Sequence, residues 1–308
     1  MNTTYDVIIL GAGAAGLSAG IYTSRAKLNT LILNEGAVGG QMVLTHEIAN
    51  YPGVETTNGF ALANIMKKQA KEFGCKIKSN LKIAGYDFDG DEKVVNLEDG
   101  RSFKAKSVIL TPGGRPRSLN VPGEEFYKGT GISYCATCDG DFFTDKEVVV
   151  VGGGNSALEE AVSLTKYASK VTVVHQFDHF QAFKHAIRDA EENPKVNFIM
   201  GSEIREFAGN GKLEKVQIEN LKTGSLTDMG TDGAFIFIGY LPNTENINGI
   251  VDLNERGEII VDTDMKTSIP GVYAAGDCVV KKYRQVTTAV ADGTIAALSV
   301  SDYLRNNN

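Results

Sequence analysis

Two cysteines, Cys135 and Cys138, stand three residues apart in SYCATCDGDFF (133–143), with Asp139 directly after them. Thiols at this spacing serve one of two chemistries: half of a zinc site, or a disulfide that opens and closes. A structural zinc needs four Cys or His ligands. Cys75 and Cys278 stand alone, and His46, His175, His179 and His185 have no metal-ligand spacing to the pair. No metal is expected. Four cysteines are also too few for a disulfide scaffold, so they read as one chemical pair and two small buried bystanders.

The elements that must position such a pair are legible as strand–turn–helix units. DVIILGAGAAGLSAGIYTSRA (6–26) reads as a buried strand, a tight glycine turn and a helix, with TLILNEG (30–36) as the next strand. In GAGAAG, Gly11 makes the turn, Gly13 lets backbone approach a pyrophosphate, and Gly16 lets the helix pack on the strand. The helix opening at Ala14 and Ala15 supplies N–H donors to phosphates. Glu35, at the end of the next strand, is placed to accept from ribose hydroxyls.

EVVVVGGGNSALEEAVSLTKYASKVTVVHQF (147–177) repeats the plan, with Gly152, Gly154 and Ala157 in the fingerprint positions and Asn155 and Ser156 opening the helix. Two such folds imply two dinucleotides, one held and one exchanged. The expected architecture is α/β: two Rossmann-like, three-layer dinucleotide-binding domains, the second inserted into the first. TPGGRPRS (111–118) and GYLPNTEN (239–246) bracket the insertion. Residues 1–114 and 247–308 form the first domain and 115–246 the second, with a natural hinge at the two crossings.

The chain has 308 residues and a formal net charge of −7, without a basic run. That balance argues against nucleic acid or an anionic membrane as the main partner. The start, MNTTYDVIILGAG, has neither a charged n-region nor a cleavage site, and its apolar run is too short for a membrane span. A cytoplasmic protein is expected.

GAGAAGLSAGIYTSRA, GGQM with EIANYPG (39–53), CATCDG, GGGNSALEEA, GAFIFIGYLPNT (233–244), YAAGD and YRQ (283–285) occur in order. From about Tyr5 to Leu304 the chain thereby resembles the low-molecular-weight thioredoxin reductases, which are FAD-dependent pyridine nucleotide-disulfide oxidoreductases of class II. The flavin domain of alkyl hydroperoxide reductase partners shares much of this pattern but carries an additional redox domain. The resemblance implies that FAD binds Gly11, Gly13, Ala14, Ala15, Gly16, Glu35, Gly40, Gln41, Asn50, Gly276, Asp277, Arg284 and Gln285. It implies that Cys135 and Cys138 are the redox pair, Cys138 facing the flavin and Cys135 attacking thioredoxin or a thioredoxin-like protein, with Asp139 as the acid–base residue. It also implies a homodimer.

In that reading the thiolate attacks the partner's disulfide and a mixed disulfide resolves by exchange. Each opening needs a proton for the leaving sulfur, and a carboxyl packed beside thiols and flavin is expected to hold one near neutrality. The plain alternative for Asp139 is a turn residue before Gly140. Phe142 and Phe143 read equally as docking aromatics or as the next core segment. The pair must meet flavin in one state and a bulky protein in another, so the inserted domain is expected to rotate.

One departure concerns the electron donor. Relatives grip the 2′-phosphate of NADPH with His-Arg-Arg and a further Arg four residues on. This chain has His175, Gln176, Phe177 and Gln181 in those places. Each lost charge-assisted hydrogen bond is worth about 1.5–3 kcal/mol, so NADPH binding is expected to weaken by roughly a hundredfold or more. The donor expected is NADH or an atypical one, ferredoxin or a deazaflavin. A second departure is LTPGG (110–114), where many relatives have Ala-Thr-Gly. The alternative function is an electron-transfer flavoprotein of the ferredoxin–NADP reductase type, a group without the CxxC.

Overall fold

Strand β1 (Thr4–Leu10) ends in the apolar run VIIL, and the glycine turn after it opens helix α1 (Ala14–Arg25). The structure, a computed structural model, describes residues 4–45 and 48–307; His46 lies outside them. TLIL forms β2 (Thr30–Leu33), buried along its whole length as a central parallel strand must be. Helix α2 (Gly59–Glu72) starts at Asn58, whose Oδ1 accepts from the Ala61 N–H at 2.8 Å. Then come β3 (Lys76–Lys78), β4 (Ile83–Asp87), β5 (Lys93–Leu97), β6 (Ser102–Leu110) and β7 (Gly114–Pro116).

The next stretch holds α3 (Glu124–Tyr127), β8 (Ile132–Ser133), α4 (Ala136–Asp139), β9 (Glu147–Val151), α5 (Asn155–Leu164), β10 (Lys170–Val174) and α6 (Lys184–Glu191). It continues through β11 (Val196–Ile199), β12 (Ser202–Ala208), β13 (Lys215–Asn220), β14 (Leu226–Gly230) and β15 (Gly233–Ile236). The chain returns by β16 (Tyr240–Pro242) to β17 (Val272–Ala274) and the long C-terminal α7 (Val286–Asn306).

Two compact units result: Met1–Arg115 with Leu241–Asn308, and Pro116–Tyr240. The first crossing falls one residue from the expected place. The second lies earlier than expected: residues 241–246, read from sequence with the inserted domain, pack on the first unit. Their anchors are an Asn243 N–H donated to Gly113 O at 3.0 Å and an Arg115–Glu245 ion pair at 3.0 Å. The crossing strands β7 and β16 pair as a two-stranded sheet.

In the first unit the sheet runs β3-β2-β1-β6-β5-β4, with β17 also on β6. Its β1, β2, β3, β6 and β17 are mutually parallel, and β4 and β5 add an antiparallel edge. One face is covered by α1, α2 and α7, whose Leu17, Met66, Ala296 and Val300 share a core with Ile32 of β2. The other buries Ile8, Leu31, Val95, Ile259 and Cys278. The second unit has an all-parallel sheet, β11-β10-β9-β15-β8, with α5 and α6 on one face and the antiparallel β12-β13-β14 sheet on the other. Among the described residues, no helix is long and apolar enough to cross a membrane.

Helices α1 and α7 touch backbone to backbone. A Cβ added at Gly293 would lie 2.1 Å from the Ala15 carbonyl oxygen, and Ser18 Oγ donates to Val290 O at 3.0 Å. Overpacking such a contact costs about 1–3 kcal/mol. Gly293→Ala is therefore expected to lower the melting midpoint of the first unit by roughly 3–10 °C in calorimetry; an unchanged midpoint would refute so close a contact.

Candidate active site: two glycine cradles and a redox turn

Both cradles are built by one device. At Gly11 φ is +116°, and a Cβ there would sit 2.1 Å from Thr111 O, where β6 leaves the sheet. At Gly152 φ is +133°, and a Cβ would sit 2.4 Å from Phe237 O, just past β15. Only glycine tolerates that dihedral and that approach together. At Gly16 a Cβ would lie 2.0 Å from Gly11 O, so helix and turn are pressed together; Ala157 fills the matching place in the second cradle, fully buried.

Gly13 and Gly154 are different. A Cβ at either would meet nothing nearer than 3.9–4.0 Å. Each is the N-cap of its helix, without a side-chain cap and without an acid in the first turn. The first N–H groups of both helices thus point out of a bare backbone concavity, which suits a phosphate. Gly11 and Gly16 are thus closed by neighbouring backbone, and Gly13 and Gly154 are open.

Residues expected with the first cradle converge on it from four segments. Gly40 (φ +59°) opens a 3-10 turn over Gly40–Leu44 and lies against Gly13, its Cβ direction meeting Gly13 Cα at 3.1 Å; Gln41 follows it, exposed. Gly276 (φ +89°) packs on Ala15, leaving no room for a side chain. Gln285 caps α7 in a reciprocal box with Thr288, and Asn50 Nδ2 donates to its Oε1 at 3.5 Å. Arg284 Nε donates to Asp277 O at 3.3 Å, while its guanidinium pairs with Glu258.

Asp277 carries the sharpest sign of a ligand. Its Oδ1 is buried without a hydrogen-bond partner. Burial pushes the carboxyl above its usual range, against the pull of Lys281 and Arg284. An orphaned buried acceptor is what a ligand hydroxyl would satisfy.

At the other end of the first cradle, a cavity of about 270 Å³ is bounded by Gly11, Glu35, Ile83, Tyr86, Pro112 and Arg115. Glu35 Oε1 accepts from the Ile83 N–H at 3.1 Å, and its charge together with burial pushes the Tyr86 hydroxyl up to about 12. Pro112, the residue of the LTPGG departure, gives its carbonyl to Asn243 Nδ2 at 3.0 Å. Arg115, Asn243 and Asn34 are the residues that the motif reading missed. Asn34 Oδ1 accepts from the Ala12 N–H at 2.8 Å and ties the glycine turn to the loop after β2.

The second cradle is zipped to the loop after β10. Gln181 N–H donates to Gly153 O at 2.9 Å, and Phe183 N–H donates to Asn155 Oδ1 at 2.6 Å. His175 lays its ring on Gly153, where a Cβ would meet the ring at 2.4 Å. It also stacks on Phe180 and meets Phe177 edge-on. Its Nε2 is buried without a partner, and burial holds the imidazole below its usual pKa. Ser156, Gln176, Phe177 and Gln181 are exposed. Asp178 beside them is paired with His179 at 2.7 Å, and the partnership keeps its carboxyl below the usual range.

In the same unit, Cys135 and Cys138 form a disulfide with Cα atoms 5.3 Å apart. The Cys138 and Asp139 N–H groups both donate to Cys135 O, at 3.3 and 3.2 Å. Ser133, which the motif reading passed over, accepts the Cys135 N–H at 3.0 Å and donates to Asp139 Oδ2 at 2.6 Å. Phe143 is half-buried against the core, its ring against Gly233 and edge-on to Phe235, whereas Phe142 is exposed. Cys75 and Cys278 are free, buried thiols, pushed by burial to about 11 and about 12, where they are poor nucleophiles near neutral pH. No group of three or more His, Cys, Asp or Glu among the described residues is gathered to hold a metal ion.

Known proteins share this arrangement. Residues 5–293 match the family described as pyridine nucleotide-disulphide oxidoreductase. The thioredoxin reductase of Peptoclostridium acidaminophilum is 48% identical, covering 100% of this chain and 99% of that one. The 34.2 kDa protein in the rubredoxin operon of Clostridium pasteurianum is 44% identical over 97% of each chain. A crystal structure of thioredoxin reductase from Streptococcus pyogenes superposes with a TM-score of 0.94 at 44% identity, over 99% of this chain and 100% of that one. With its closed sulfur pair and twin cradles, the chain belongs to the pyridine nucleotide-disulphide oxidoreductase family, among the thioredoxin reductases, flavin-dependent enzymes that act on a sulfur group.

Proposed function

We propose that this protein reduces the disulfide of thioredoxin, or of a thioredoxin-like protein, through Cys135 and Cys138, using electrons from a donor other than strongly preferred NADPH. The observation that carries the reading is the Cys135–Cys138 disulfide closed on a turn that also holds Asp139. An electron-transfer flavoprotein has no use for it.

FAD would lie with its pyrophosphate on the Gly11–Gly16 turn, its ribose hydroxyls toward Glu35 and a ribityl hydroxyl on the orphaned Asp277 oxygen. When bound it supplies the electron pair that opens the disulfide. Cys135, as thiolate, then attacks the partner's disulfide; Cys138 attacks Cys135 in turn, releasing the reduced partner and closing the pair. Asp139 supplies the proton that a leaving sulfur needs. Because the pair must meet both flavin and a protein, we infer that the second unit swivels about the paired crossings β7 and β16. The protein is proposed to act as a cytoplasmic homodimer.

The donor reading rests on the loop after β10. Gln176, Phe177 and Gln181 offer no guanidinium to a 2′-phosphate, and Asp178 beside them is an exposed carboxylate paired with His179. The open N-terminus of α5 still suits a pyrophosphate, which favours NADH. A protein electron carrier such as ferredoxin is the second donor proposed; the Clostridium pasteurianum relative, named for its place in a rubredoxin operon, lends it support.

Anaerobic stopped-flow mixing is expected to bleach the flavin faster with NADH or reduced ferredoxin than with NADPH at equal concentration. Rapid bleaching by micromolar NADPH would overturn the donor reading. Asp277→Leu is expected to weaken FAD retention about tenfold or more, followed by flavin release on dilution; retention at the native level would remove Asp277 from the site. A covalent cross-link between the two units is expected to abolish thioredoxin reduction with FAD still bound, whereas full turnover of the cross-linked enzyme would exclude the swivel.

A further inference from the structure

Ser133 ends β8, the edge strand beside β15, and is 5% exposed. Its hydroxyl sits among three groups of the redox turn. It accepts the Cys135 N–H at 3.0 Å, lies 2.6 Å from Asp139 Oδ2, and lies 3.3 Å from Cys135 O. A hydroxyl has one proton to donate and two lone pairs to accept with. It therefore cannot donate to Asp139 and to the Cys135 carbonyl at once.

The protonation of Asp139 decides between them. As a carboxylate, Asp139 receives the Ser133 O–H. As an acid protonated on Oδ2, it donates to Ser133 Oγ, and the Ser133 O–H turns to Cys135 O. The Cys135 N–H keeps the second lone pair in both states, so hydroxyl capacity is never exceeded.

We infer that Ser133 is the positioning residue of the redox couple: its hydroxyl holds the Asp139 carboxyl on the Cys135–Cys138 turn and changes acceptor each time that carboxyl gains or loses its proton. Opening the disulfide takes two electrons, which reduced FAD would supply when bound, its own proton passing to solvent, and one proton from Asp139. The products are one thiol, one thiolate and the Asp139 carboxylate, which solvent reprotonates. The Ser133 hydroxyl then stabilises the charge left on Asp139 without moving the sulfur turn. The inference rests on the reading of Asp139 as proton donor to the couple.

Other titratable groups on the elements around α4 are Asp141 in the following 3-10 turn, Glu159 and Glu160 on α5, and Tyr167, whose ring lies against Gly140. β15 contributes none. Burial, with Glu159 beside it, raises Glu160 above its usual range. These groups stay in place in every variant below, so they cancel in the comparison.

The test is infrared titration of the oxidised flavoenzyme, with the Asp139 acid band assigned by its loss in Asp139→Asn. Removing a donor to a carboxylate destabilises the charged form, so ionisation moves to higher pH. In Ser133→Ala the band is expected to titrate about one pH unit higher, a tenfold change in the ionisation constant, and Ser133→Thr is expected to restore the native midpoint. The alkaline limb of kcat/KM for thioredoxin is expected to shift with it. An unchanged infrared midpoint in Ser133→Ala overturns the inference, as does a Ser133→Thr protein that behaves like alanine. Should the alanine protein fail to fold, Ser133→Cys, a weak donor of similar size, is read the same way by infrared alone. If Asp139→Asn leaves the pH profile of thioredoxin reduction unaltered, it is the role of Asp139 that fails, a separate outcome.

Discussion

The two units depend on one contact made twice: a strand–helix turn pressed against the exit of a neighbouring strand until only a hydrogen fits between them. At Gly11 the opposing atom is Thr111 O, and at Gly152 it is Phe237 O. The contact sets the helix axis directly behind the turn, so the first N–H groups of α1 and α5 face outward from bare backbone. A site of this kind suits a phosphate through main chain, leaving side chains to differ at either end.

At the ends, side chains do the discriminating. In the first unit Glu35 waits at a cavity, and Asp277 keeps a buried oxygen without a partner. In the second, the loop after β10 exposes Gln176, Phe177 and Gln181, beside a buried stack of His175 on Phe180. Burial holds the His175 imidazole below its usual pKa, and its ring packs on Gly153. The exposed Gln176, Phe177 and Gln181 of that loop carry no positive charge. The sulfur turn belongs to the same unit, so whatever that unit binds, it carries the Cys135–Cys138 pair with it.

Much of this was legible in the sequence because it rests on local rules. Glycines at fixed offsets after an apolar run, a CxxC followed by an acid, and Ala-Gly-Asp after a short strand each state their own geometry. What escaped was long-range or generic. Arg115 meets a residue 128 positions away, a pairing that no local pattern encodes. Ser133 two residues before a cysteine looks like any turn serine until its 2.6 Å contact with Asp139 is seen. Phe142 and Phe143 are chemically alike, and only the gap at Gly233 decides which one packs against the core. The second crossing was placed late because GYLPNTEN reads as one loop, although Asn243 and Glu245 within it are anchored to the first unit.

Electron storage on two centres, a bound flavin and a sulfur pair, is the central claim, and an anaerobic reductive titration tests it most directly. The native flavoenzyme is predicted to take up about twice as many electrons per chain as a Cys135→Ser, Cys138→Ser protein carrying the same flavin, since a disulfide is a two-electron couple. Equal uptake by the two proteins would contradict it.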